Sequence, residues 1–180
     1  HWDLPQVLQE QGGWLNPEIA KWFGEYSGIL SDRFSDRVSN WFTLNEPQCF
    51  IGLGHYAGIK APGLKLGVKD SLLALHHSLL AHGLSVRALR DNAKKPIKVG
   101  PVPTGSVAYP TVDTPANRDA AYKATFNVLG SEEDKHMCHR WKVPVNPLWN
   151  IAWYTDPIFL GEYPEQGIEA LGDNVPKYTD

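Results

Sequence analysis

Asn45-Glu46-Pro47 closes an apolar, aromatic-rich run from Val38 to Leu44 and sets an amide beside a carboxyl group where a strand gives way to a loop. A carboxyl group among apolar neighbours has its ionised form desolvated, so it can hold a proton near neutrality and donate it to a leaving group. Glu46 is on these grounds a candidate general acid, and the Asn45 amide beside it a candidate donor to a nearby hydroxyl. The same residues also suit an ordinary polar turn after a strand. A second group of donors, His1-Trp2-Asp3-Leu4-Pro5, opens the sequence as the end of a strand already under way. Seven tryptophans in 180 residues offer flat apolar faces with single N–H donors, which suit either the C–H faces of sugars or a core. Were a glycosidic bond the target, one acid would not suffice. The oxocarbenium-like transition state needs a second carboxylate on the other face of the ring, about 5–5.5 Å away where configuration is retained.

The elements that must position these groups follow from periodicity. Asn16-Pro17-Glu18 is a helix start, with an oxygen side chain, a proline at the first position and a carboxylate near the positive pole. Ile19, Trp22, Phe23, Tyr26, Leu30 and Phe34 then recur at helical spacing, which predicts a core-facing helix to about Phe34. Val38 to Leu44 reads as a buried strand, stopped by Pro47. The glycines and prolines from Gly52 to Gly67 suggest a long surface loop. A second helix opens at Asp70-Ser71 and ends near Leu89-Arg90, with Leu72, Leu75, Leu79, Gly83 and Val86 turned inward. Ile97 to Gly100 is a second strand, and Thr114-Pro115 to Leu129 a third helix. Between prolines, Pro144 to Gly161 is rich in aromatics, and Glu165 to Leu171 gives a further helical turn or two. Strands alternating with long amphipathic helices imply parallel pairing and an α/β fold, as an open sheet or a barrel. In either, reactive groups gather where strands end, which is where Glu46 and His1 fall.

Composition removes several alternatives. Seventeen basic and twenty acidic residues give a formal charge of −3, leaving no basic excess for nucleic acid or anionic lipid. No apolar run approaches the ~18–20 residues that span a bilayer, so no membrane partner is expected. Cys49 and Cys138 are too few for a disulfide scaffold or a four-cysteine zinc site and read as reduced thiols. Sparse cysteine favours a reducing cytoplasm but leaves the compartment open. His76, His77, His82, His136, Cys138 and His139 do not form a metal-ligand spacing, and adjacent His76 and His77 point to different parts of a helix surface. No resident metal or cofactor is expected.

Taken together, His1-Trp2-Asp3-Leu4-Pro5-Gln6, Gly12-Gly13-Trp14-Leu15-Asn16 and Thr43-Leu44-Asn45-Glu46-Pro47 resemble, in order and spacing, the retaining β-glucosidases of glycoside hydrolase family 1. Ala61-Pro62-Gly63, the helix from His76 to His82, and Asp156 to Pro164 are similar to later segments of that family, so the resemblance covers essentially the whole chain. It implies a single partial (β/α)₈ TIM-barrel domain over residues 1–180, from the end of the third strand to shortly before the sixth. By position, Glu46 would be the acid/base residue, Asn45 would meet the sugar 2-hydroxyl, and His1 and Trp2 would hold glycone hydroxyls. Gln48 stands where many members carry a tryptophan facing the leaving group, so the aromatic platform for the aglycone is in question. The family's nucleophile lies in a Thr-Glu-Asn-Gly type motif, which these 180 residues do not contain; Glu132, Glu133 and Glu162 are not in that context. The resemblance therefore implies hydrolysis of a β-linked glucoside or oligosaccharide, with the isolated chain inactive. The alternative is a non-catalytic barrel fragment that pairs with a complementary segment or a second copy.

Overall fold

A computed structural model describes residues 1–105, 107–126, 128 and 148–177. Within them the chain runs through α1 (Gln6–Glu10), a 3₁₀ turn (Gly13–Leu15), α2 (Glu18–Phe34), β1 (Asn40–Asn45) and a π-helix (Gln48–Tyr56). It continues through α3 (Val68–Asp91), β2 (Lys98–Val102), α4 (Pro115–Phe126), α5 (Ala152–Phe159) and α6 (Glu165–Leu171). β1 and β2 pair in parallel, Asn40 against Lys98 and Asn45 against Val102, with α3 in the crossover. This is the α/β pattern that the alternation of elements predicts. Among the described residues no helix is long and apolar enough to cross a membrane.

α2 starts where its cap residues place it. Asn16 Oδ1 accepts the Glu18 N–H at 3.0 Å, satisfying one of the donors that a helix start leaves free. The buried face of α2 differs from the expected stripe. Ala20, Gly24, Ser27, Gly28 and Ser31 lie inward, whereas Tyr26 and Phe34 are exposed. The reason is the close approach of α3. A Cβ on Gly24 would sit 3.2 Å from Leu84 Cβ, Ser27 Oγ donates to Ser85 Oγ at 2.9 Å, and Ser31 Oγ donates to the Leu89 carbonyl at 2.7 Å. These partners climb the two helices together, so α2 and α3 run parallel, as helices of successive β-α units must. Buried hydrogen bonds contribute about 1 kcal/mol each, whereas exposed pairs such as Lys21–Glu18 contribute less. On α3 the inward face includes Ser71, His77, Ser78 and His82 as well as Leu72, Leu75 and Leu79, while Gly83 is exposed.

Two other expectations are corrected. β1 is not a buried strand throughout: Thr43 and Leu44 are buried but Phe42 is 72% exposed, because among the described residues only β2 lies beside it. Gln48 to Tyr56 is a largely buried π-helix rather than the start of a surface loop. Its glycines allow close packing, since a Cβ on Gly54 would collide with the Ala61 carbonyl oxygen. The aromatic stretch after Pro144 contributes α5, whose Trp153 and Tyr154 join Trp14, Phe50, Leu72 and Leu75 in the core. The expected end of the third helix at Leu129 lies outside the described residues, as do Glu132, Glu133, His136, Cys138 and His139.

Burial holds the His55, His76 and His82 rings below the ordinary histidine value of 6.5. Unfolded, the same rings take up protons around that value, so below it the unfolded chain binds more protons than the folded one. Their contribution to stability is complete above 6.5 and is lost as pH falls from there through the folded-state values. The urea midpoint is expected to drop between about pH 7.5 and about pH 5.5. His82→Gln should make that drop shallower; an equal slope in the variant would contradict the assignment.

Candidate active site

β1 does not stop cleanly. Phe42 pairs with Gly100 and Asn45 with Val102, so three steps on β1 face two on β2, and an irregularity of this kind bends the strand and re-aims its side chains. Glu46 follows in the left-handed region, at φ 46°, a conformation that costs a non-glycine residue roughly 1–2 kcal/mol. Its backbone is held on both sides. The Glu46 N–H donates to the Val102 carbonyl at 2.7 Å, and the Glu46 carbonyl accepts the Cys49 N–H at 2.8 Å. Pro47 then enters the π-helix, and helical distortions of this type are frequent at functional sites.

His1 and Trp2 converge on Asn45. Trp2 Nε1 donates to the Asn45 carbonyl at 2.9 Å. His1 Nε2 lies 3.1 Å from the Asn45 nitrogen and 2.9 Å from its oxygen. One ring nitrogen cannot accept and donate at once, so the arrangement satisfying every group has a bare Nε2 accepting the Asn45 N–H while Trp2 serves the carbonyl. Lys60 Nζ lies 5.6 Å from the centre of a Trp2 ring, within cation–π range. Together with Asp3, Phe50 and His55, His1 and Trp2 line a cavity of about 200 Å³. Asn45 is exposed and Glu46 half-buried.

Of the five residues singled out in the sequence, His1, Trp2 and Asn45 meet, and Glu46 adjoins them through the chain. Gln48 does not join them. Its side chain is fully buried, with Nε2 donating to the Thr104 carbonyl and Oε1 accepting the Thr104 N–H at 3.2 Å. Gln48, expected among the substrate-binding residues, here uses its amide to pair with both backbone groups of Thr104. Two contacts escaped the sequence reading. Cys49 Sγ lies 3.5 Å from Glu46 Oε2, and burial, followed by the hydrogen bond to Glu46 and its charge, pushes the thiol up to about 12. Thr43 Oγ1 and His82 Nδ1 lie 2.6 Å apart and tie β1 to α3. Glu46 and Cys49 stand three residues apart, but Glu46 lies outside the helix in a left-handed turn, so no spacing signal in the sequence announces their contact. The remaining α3 histidines reach separate partners, His76 the Tyr163 hydroxyl and His77 the Trp14 carbonyl. Among the described residues no three metal-ligating side chains cluster. Glu162 is exposed beyond α5.

Residues 1–180 match the family model described as Glycosyl hydrolase family 1. The chain is 35% identical to Beta-glucosidase A of Thermotoga maritima, over 100% of this chain and 35% of that protein. It is 34% identical to Beta-glucosidase 1B of Phanerodontia chrysosporium, over 99% of this chain and 32% of the relative. The solved β-glucosidase from Thermotoga maritima in complex with noeuromycin superimposes with a TM-score of 0.72 at 34% identity, covering 98% of this chain and 34% of that one. The chain thus spans about a third of the length of the curated relatives it matches. Its structural neighbours imply a (β/α)₈ barrel, of which this chain covers a part.

Gln48→Ala removes both partners of the Thr104 backbone and leaves a void. It is expected to destabilise the fold by about 1–3 kcal/mol, read as a lower urea midpoint. An unchanged midpoint would show that the Gln48–Thr104 bridge contributes nothing.

Proposed function

The chain belongs to glycosyl hydrolase family 1, and from that premise we propose that it is the acid/base-bearing part of a retaining β-glucosidase. Residues 1–180 form one partial barrel domain. Glu46 protonates the glycosidic oxygen as the bond to the aglycone breaks. A glutamate outside these 180 residues attacks the anomeric carbon and forms the glycosyl-enzyme intermediate. Glu46 then takes a proton from the incoming water. Asn45 offers its exposed amide to the sugar 2-hydroxyl, and His1 and Trp2 border the glycone. Gln48 supports the site from within the fold.

One observation carries this reading: Glu46 stands at the C-terminal end of a parallel strand, in a left-handed conformation, beside an Asn45 backbone braced by His1 and Trp2. Strain of that kind persists only where surrounding contacts enforce it, and it gathers at functional sites. A β-glucoside is the substrate class; the relatives are named β-glucosidases, and one solved neighbour carries noeuromycin. The test combines the chain with its complementary barrel segment and compares Glu46→Gln with the parent. Turnover of a glucoside with a poor leaving group should fall about 10²–10⁴-fold. Unchanged turnover would remove Glu46 from the acid/base role.

The exposed Phe42 and the two-stranded sheet favour a second reading, in which the chain assembles with another polypeptide that covers its strands. Size-exclusion chromatography of the isolated chain is then expected to show self-association. A compact, stable monomer would contradict it.

A further inference from the structure

Cys49 touches Glu46 twice, once through its backbone and once through its side chain. Its N–H donates to the Glu46 carbonyl at 2.8 Å, and its Sγ lies 3.5 Å from Glu46 Oε2. The side chain is 8% exposed, so water does not compete freely for the thiol. Gln48, one residue earlier, is locked to the Thr104 backbone, which fixes the place from which the sulfur approaches. Of the charged groups around this pair, Lys60 acts on the thiol in the opposite sense to Glu46. His1 engages the Asn45 backbone rather than the carboxyl group.

A carboxyl group that must serve first as acid and then as base faces a positioning problem. A cationic donor would orient it but would favour its ionised form. A neutral donor on one oxygen orients it in both forms, since that oxygen accepts whether or not the other carries the proton. The thiol meets this requirement, because it stays protonated at any working pH and can only donate to Oε2. We propose that Cys49 is a positioning residue for Glu46: its S–H holds Oε2 and thereby presents Oε1 for proton exchange with the glycosidic oxygen and, later, with water. This rests on the acid/base reading of Glu46.

Two measurements test it. In the assembled enzyme, Cys49→Ala is expected to lower kcat for a β-glucoside with a poor leaving group by about fivefold, the worth of one ordinary hydrogen bond. KM for that substrate should be unchanged, and so should kcat/KM for a dinitrophenyl glucoside, whose leaving group needs no proton and whose kcat/KM reports the glycosylation step alone. Cys49→Ser, which restores a neutral donor, should recover part of the loss. Equal losses in kcat/KM on both substrates, or none on either, would overturn the proposal. In the chain itself, with Cys138→Ser as background, Glu46→Gln should speed alkylation of Cys49 at alkaline pH, because removing the carboxylate eases thiolate formation. An unchanged alkylation rate would also overturn it. If Glu46→Gln leaves turnover intact, the acid/base reading fails instead, and the alkylation result reports separately on whether the contact exists.

Discussion

The hydrogen bond from the Glu46 N–H to the Val102 carbonyl closes the sheet at the point where the chain departs from it. An extended strand would carry Glu46 onward beside β2; the irregular register after Phe42 and the left-handed φ turn it aside instead. That conformation costs roughly 1–2 kcal/mol, comparable with a single hydrogen bond, so it stands only because several contacts oppose its relaxation. Val102 holds one side of the peptide, Cys49 the other, and His1 and Trp2 fix the residue before it. The backbone that carries the carboxyl group at the end of β1 is thus held by three pieces of chain: β2, the start of the π-helix and His1-Trp2.

Those supports depend on how the helices sit behind the sheet. α2 and α3 approach closely along Gly24, Ser27, Gly28 and Ser31, and buried hydroxyl bonds to Ser85 and Leu89 set their relative height. With that height fixed, His82 reaches Thr43 on β1 and His77 reaches the Trp14 carbonyl, linking α3 to the strand and to the segment after His1. Small polar side chains carry out this registration because bulkier ones would hold the helices apart. A strand end placed to within a hydrogen-bond length is a precondition for acid catalysis, which loses efficiency when the donor is misdirected.

Membership of a carboxylate-based glycosidase family fits the balance of groups at this site. Around the Glu46 turn an indole N–H donates to the Asn45 carbonyl, an imidazole nitrogen accepts the Asn45 N–H, and a thiol faces the carboxyl group. The chain covers about a third of its relatives, so the groups that complete the pocket in the family reading lie outside it.

Local chemistry was enough to locate much of this. The Asn16 cap, the proline stops and the helical and strand periodicities placed α2, β1, α3 and β2 to within a few residues, because those signals act over one or two turns of chain. The order of short motifs was enough to identify the family and to single out His1, Trp2, Asn45 and Glu46. What sequence misjudged were faces and partners. Tyr26 and Phe34 look like core residues by spacing, yet the seam went to glycine and serine, since what decides burial is how near the neighbouring helix can come. Glycines from Gly52 onward looked like a loop, yet they permit a tight π-helix. That the Gln48 amide pairs with Thr104 was not legible either, and Cys49 looked inert, yet it faces Glu46. Each of these depends on an atom distant in sequence or on the pitch of a coil, quantities that no window along the chain contains and that exist only once the elements are packed.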